Sequence, residues 1–120
     1  MSGSFSGTFK LIPLTPGSVK ADNGTFTFSI KPRPSVLVSG QRVTTYGGAD
    51  ELTSKRGTLE IRSVTRSTEA GGEYLVGSGT WSAAGGTKAY AGLRANGMGS
   101  SILTPRKVIF SRYEGFVSSS

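Results

Sequence analysis

The chain contains neither cysteine nor histidine. Without cysteine it has no disulfide framework, no thiolate nucleophile and no sulfur-based metal site. Without histidine it lacks the usual general base, the commonest zinc ligand and the serine–histidine pairing of hydrolases. Long apolar runs are missing as well. No stretch approaches the roughly 18 residues that span a bilayer, and the N-terminus carries no signal-peptide apolar segment, so no membrane contact is expected. Met1 to Ser4 is compatible with a natural cytoplasmic start or with secretion and an export signal absent from this sequence. Acidic residues are scarce, 7 against 14 basic ones, for a net charge of +7. That balance attracts anionic partners in principle. The basic residues are nevertheless scattered from Lys10 to Arg112 with no run of like charge and no aromatic stacking platform, so nucleic acid is not an expected partner.

What the chain does contain is glycine, serine and threonine in place of helix formers, with 18 glycines spread along its length. This biases it toward strands joined by tight turns. At 120 residues it makes one domain, 1–120, with an ordered part of roughly 4–117 and disordered terminal serines. From Phe5 to Leu14 apolar and polar residues alternate, with Phe5, Gly7, Phe9 and Leu11 on one face, until Pro13 and the Pro16-Gly17 turn. Phe26, Phe28 and Ile30 are in phase within a second strand, Thr25 to Ile30, which the prolines of Lys31-Pro-Arg-Pro34 end. Ser35 to Val38 is a brief extended piece, and Ser39-Gly40 is a two-residue hairpin turn into Gln41 to Leu52. In that strand Tyr46-Gly47-Gly48 predicts a bulge or bend. Further strands follow at Thr58 to Thr68, Glu73 to Ala83, Leu93 to Leu103 and Lys107 to Val117. The expected fold is all-β with no long helix, a single antiparallel up-and-down barrel of about seven or eight strands, since closure removes exposed edges. A flattened sandwich is the alternative.

Between Ala83 and Leu93 the chain crosses through Gly85-Gly86 and a segment long enough for one helical turn, from which Tyr90 and Leu93 are expected to plug the end of the sheet. This stretch, Gly85-Gly-Thr-Lys-Ala-Tyr-Ala-Gly-Leu-Arg-Ala-Asn-Gly97, together with Gly77-Ser-Gly-Thr-Trp81 before it, resembles the glycine-rich segment of the allene oxide cyclase and dirigent barrel superfamily, and most closely its small bacterial members. Lys88 stands where that family's segment has a glycine. The resemblance implies a barrel whose interior receives an apolar small molecule, with cyclase or isomerase chemistry or the steering of a coupling reaction, and no metal or cofactor. It also implies association as dimers or trimers, although no stretch specifies an interface. The other reading is a non-catalytic secreted or surface module whose barrel interior is filled by side chains.

Candidate site residues are polar or aromatic groups in phase with apolar ones. On the last strand Val108, Phe110 and Phe116 share a face with Arg112 and Glu114. If that face points inward, Glu114 is the natural general acid or base, Arg112 orients an anion or lowers its neighbour's pKa, and Phe110 contacts the ligand. If not, they form a solvated pair. Trp81, in phase with Leu75, Gly77 and Gly79, is either a pocket wall or the central core residue. Tyr46 can present its hydroxyl to a pocket or make a cross-strand contact; Tyr74, Tyr90 and Tyr113 are weaker candidates. Glu60, Arg62 and Arg66 read as an outer charged stripe. Asp50-Glu51 is a lone acidic pair without the oxygen donors of a calcium site.

Overall fold

A computed structural model describes residues 3–14 and 20–119. In chain order the strands are β1 (Gly3–Leu11), β2 (Asp22–Pro32), β3 (Val36–Val38), β4 (Gln41–Ser54), β5 (Gly57–Ala70), β6 (Tyr74–Gly86), β7 (Leu93–Leu103) and β8 (Ile109–Ser119). Two single 3-10 turns, Gly71–Glu73 and Lys88–Tyr90, are the helical pieces of the described residues. All strands join one antiparallel sheet in the order β1-β2-β4-β5-β6-β7-β8, with β3 beside the first part of β4. The all-β, up-and-down architecture expected from alternation and hairpin spacing is present. The sheet curls into a half-barrel. Among the described residues β1 and β8 pair only with β2 and β7, so both keep an open edge.

Turn chemistry sets the register. Ser39 and Gly40 both take positive φ, 50° and 80°, which suits the twist of a two-residue hairpin joining β3 to β4. The prolines after β2 end its ladder at Pro32, and β3 takes over the next stretch of β4. The bulge expected at Gly47-Gly48 is absent: β4 stays in step with β2 and β5 through both glycines. The irregularity lies instead between Leu59 and Ile61, opposite Ala83 and Gly86, where β6 enters the crossing. The Pro16-Gly17 turn lies outside the described residues. β8 runs through Ser119, past the expected end at Val117.

Strand alternation gives the sheet an inner and an outer face. Phe5, Phe28, Asp50, Ile61, Ala83 and Ala95 face inward in one cross-strand row. Large rings on this face lie over glycines one or two strands away. A Cβ at Gly48 would sit 2.7 Å from the Phe28 ring, at Gly99 2.7 Å from Tyr113, and at Gly115 2.8 Å from Trp81. The core forms two clusters, one of Leu59, Ile61, Ala83, Tyr90 and Ala95, the other of Phe28, Ile30 and Tyr46. Ile109 at the start of β8 packs on the second cluster, so the curl carries β8 over the inner faces of β2 and β4. No side chain among the described residues is sealed completely from solvent. The concave face is lined, not closed.

Tyr90 turns inward from the crossing, as expected of a plug. Its hydroxyl and that of Ser54 (2.6 Å) both donate to one carboxylate oxygen of Asp22, tying the crossing to β2 and β4. The same bonds, Ser54 first, hold the Asp22 carboxyl below its ordinary range. Burial, followed by the hydrogen bond to Asp22, pushes the Tyr90 hydroxyl up to about 12. Lys88, in the position where the resembling segment has glycine, adopts φ of +53°, a left-handed conformation glycine takes without strain.

Candidate functional site

The concave face is richest in chemistry where β4, β5, β6 and β8 meet. Alternation on β6 brings Leu75, Gly77, Gly79 and Trp81 to this face, and alternation on β8 brings Ile109 and Tyr113. With no side chain at Gly97, Gly99 or Gly115, the indole and phenol rings lie across β7 and β8 instead of standing off them. They stack with centroids 5.8 Å apart and planes 29° from parallel. The Trp81 Nε1–H donates to the Met98 and Glu114 carbonyls, both at 3.1 Å, which fixes the ring from its polar end. Tyr113 reaches across the curl to the side chain of Ser63 on β5. Its hydroxyl is pushed up to about 12, chiefly by burial and then by the nearby charge of Asp50.

Asp50 is the unusual member. It sits between Phe28 and Ile61 in the inward row, and its Oδ1 is buried without a hydrogen-bond partner. Burial pushes its carboxyl up to about 6. An unpaired buried carboxylate oxygen is costly, and native proteins keep such groups rarely. The hollow beside the Trp81–Tyr113 stack is lined by Phe28, Ser63, Thr65, Trp81, Ser111 and Tyr113, with Asp50 outside its lining, and holds about 20 Å³, room for one water molecule. On the opposite, convex face a wider hollow of about 240 Å³ lies over Ser4, Ser29 and Ala49 and is rimmed by Glu51, Glu60 and Arg62. Among the described residues no group of three or more acidic side chains comes together as a metal site.

The structure separates the residues that sequence reasoning had grouped. Trp81 is on the concave face and half-buried. Tyr46 is buried there too, in the other cluster with Phe28 and Ile30, its hydroxyl raised by burial and by Glu69. Arg112, Glu114 and Phe110 are not in the interior. Arg112 Nη2 and Glu114 Oε1 form a 2.8 Å ion pair whose side chains are 80% and 61% exposed, and Phe110 is 63% exposed. The phase of β8 is set by Ile109 and Tyr113, whose side chains find partners across the curl; period two then sends Phe110, Arg112, Glu114 and Phe116 outward. The solvated-pair alternative describes this geometry. Glu60, Arg62 and Arg66 lie exposed on the outer face, as the alternation indicates. Asp50 and Ser63 were not singled out as site residues. The available signal was the spacing Tyr46, Gly48, Asp50, Leu52, which carries the carboxylate inward in step with apolar neighbours.

Comparison with protein-family models, with curated proteins and with solved structures gives no match. No helix of the described residues is long and apolar enough to cross a membrane.

Proposed function

We propose that this protein binds a small, largely apolar molecule on the concave face of its half-barrel, against the Trp81–Tyr113 stack, with Asp50 as the polar anchor. The observation that carries this reading is the buried, unpartnered Asp50 Oδ1 beside Tyr113. A ligand that donates a hydrogen bond or a positive charge supplies the missing partner, while flat or apolar skeletons gain area on the rings. A carboxyl that titrates near 6 can also give or take a proton near neutral pH, so Asp50 suits the cofactor-independent cyclase or isomerase chemistry that the sequence resemblance implies. Arg112 and Glu114, on the outer face, take no part in it. Association into a homo-oligomer, which the sequence resemblance implies, is a separate proposal that does not depend on the ligand.

Trp81, the only tryptophan, reports on the site by fluorescence. Titration with a panel of apolar amines, phenols and polyenes should give a saturable shift. Asp50→Asn should weaken amine binding about tenfold or more, the loss of one charge-assisted hydrogen bond. A shift that Asp50→Asn leaves unchanged would remove Asp50 from the site. The small size of the hollow favours a second reading, a non-catalytic module whose concave face is filled by its own rings. Absence of any saturable response in folded protein selects that reading.

A further inference from the structure

The outer face of β8 carries a row that is complementary to its own reverse: Phe110, Arg112, Glu114, Phe116, an aromatic residue at each end and opposite charges between. All four are exposed, Phe116 by 86%. The strand beneath them has an open edge among the described residues. The carbonyls of Arg112 and Glu114 face β7, since a Cβ at Gly99 or Gly97 would meet them at 3.3 and 1.9 Å. By alternation, the backbone groups of Ser111, Tyr113, Gly115 and Val117 point to the open edge. We propose that a second copy of this chain pairs there, β8 against β8, antiparallel about a two-fold axis at Tyr113.

Both the backbone and the side chains specify that register. Centring on Tyr113 sets edge-facing residues opposite edge-facing residues: Tyr113 exchanges two backbone hydrogen bonds with its symmetry mate, and Ser111 does so with Gly115 of the second copy. The outward residues then fall in the closer, non-hydrogen-bonded positions, where side-chain pairs interact most strongly. Phe110 meets Phe116 of the second copy, and Arg112 meets Glu114, each pair occurring twice. Sliding the copies by one step either way, to an axis at Arg112 or at Glu114, places arginine against arginine or glutamate against glutamate. Only the Tyr113-centred register pairs every charge with its opposite. It also lengthens an apolar row that already crosses three strands, Val76, Ile102 and Phe110 in register, all exposed, by adding the Phe116 ring of the second copy. The short edge strand β3, Val36–Val38, carries no charges to fix a register, and the open edge of β1 offers no such match. The outer face of β1 is Ser4, Ser6, Thr8 and Lys10, polar and guarded by a lysine. The pairing is independent of ligand binding on the concave face.

Sedimentation velocity of the full chain over a wide concentration range tests the proposal. A reversible species of twice 12.5 kDa is expected. Arg112→Glu and Glu114→Arg should each weaken self-association about tenfold or more, because both create four like charges in one row. Mixing the two variants in equal amounts should restore a heterodimer, and the double exchange should restore a homodimer; these rescues separate charge pairing from any loss of fold, which circular dichroism monitors. In the cysteine-free chain, Phe110→Cys combined with Phe116→Cys should yield an intermolecular disulfide, and Phe110→Cys alone should not. A wild type that stays monomeric, or a dimer that survives both single reversals, overturns the proposal.

Discussion

Asp50 differs from an ordinary surface carboxylate in where its cost falls. Its folded pKa of about 6 lies above the ordinary value of 3.8 because burial disfavours the charge. The protonated form is therefore the better-tolerated one. This group's contribution to stability is fully present below the unfolded pKa and is lost as pH rises through about 6. The full shift corresponds to about 3 kcal/mol, and partial exposure of the side chain reduces that to about 1–2 kcal/mol. Asp50→Asn, which keeps the shape and removes the charge, should stabilise the protein by about that amount at pH 7 and by little near pH 4. Urea denaturation at the two pH values measures the difference. An equal effect at both would mean that the carboxylate is better solvated than its burial indicates. The residue scale is also where the sequence left the most open, with Arg112 and Glu114 either inside the barrel or a solvated pair. Glu114 and Arg112 stood out because they are charged and in phase with phenylalanines, yet hydrophobicity does not decide which face of an edge strand turns inward. Tyr113 wins that competition because its hydroxyl finds Ser63 and its ring finds Trp81, both distant in sequence.

At the scale of strands and turns the sequence is far more legible. Alternation placed β1, β2, β4, β5, β6, β7 and β8 within a few residues of their observed bounds, and Ser39-Gly40 makes the expected hairpin. Glycine was harder to read, because the same residue marks a turn, a bulge or a space for a ring. Gly47 and Gly48 predicted a bulge or bend, whereas Gly48 serves as the floor under the Phe28 ring and β4 keeps its register through both. The glycines of β7 carry a sharper consequence. A Cβ at Gly97 would fall 1.9 Å from the Glu114 carbonyl oxygen, an acceptor of the Trp81 indole. Gly97→Ala must push β7 and β8 apart locally and disturb that bond, at a cost of about 2–3 kcal/mol. At Gly47 nothing lies within 4 Å of the added methyl, and φ is not positive. Gly47→Ala should therefore be neutral or stabilise by up to about 1 kcal/mol through the unfolded chain. Chemical denaturation of the pair, with Trp81 emission as the probe of its indole, checks both; equal costs would show that close approach of the β7 and β8 backbones is not what Gly97 provides.

Over the whole molecule the half-barrel is elongated, with a radius of gyration of 15.1 Å against about 13.6 Å for a compact domain of this length. Two modest clusters replace one sealed core, and stability depends on the ladder of the central strands. Hydrogen exchange should rank the sheet accordingly, with amides of β4, β5 and β6, paired on both sides, slowest of all. β8 should show an alternating pattern. The amides of Arg112, Glu114 and Phe116 face β7 and are protected, while those of Ser111, Tyr113, Gly115 and Val117 face the open edge and exchange fast in dilute solution. Raising the concentration should slow that second set alone, since pairing of two β8 strands satisfies those groups and no others; β1 should be unaffected. Uniform protection along β8 at low concentration would mean that the edge is already covered within one chain and the barrel closed. Fast exchange of the odd-numbered set at every concentration would leave the half-barrel intact and remove the dimer. The two geometric claims, an open sheet and a self-complementary edge, thus stand or fall separately in one experiment.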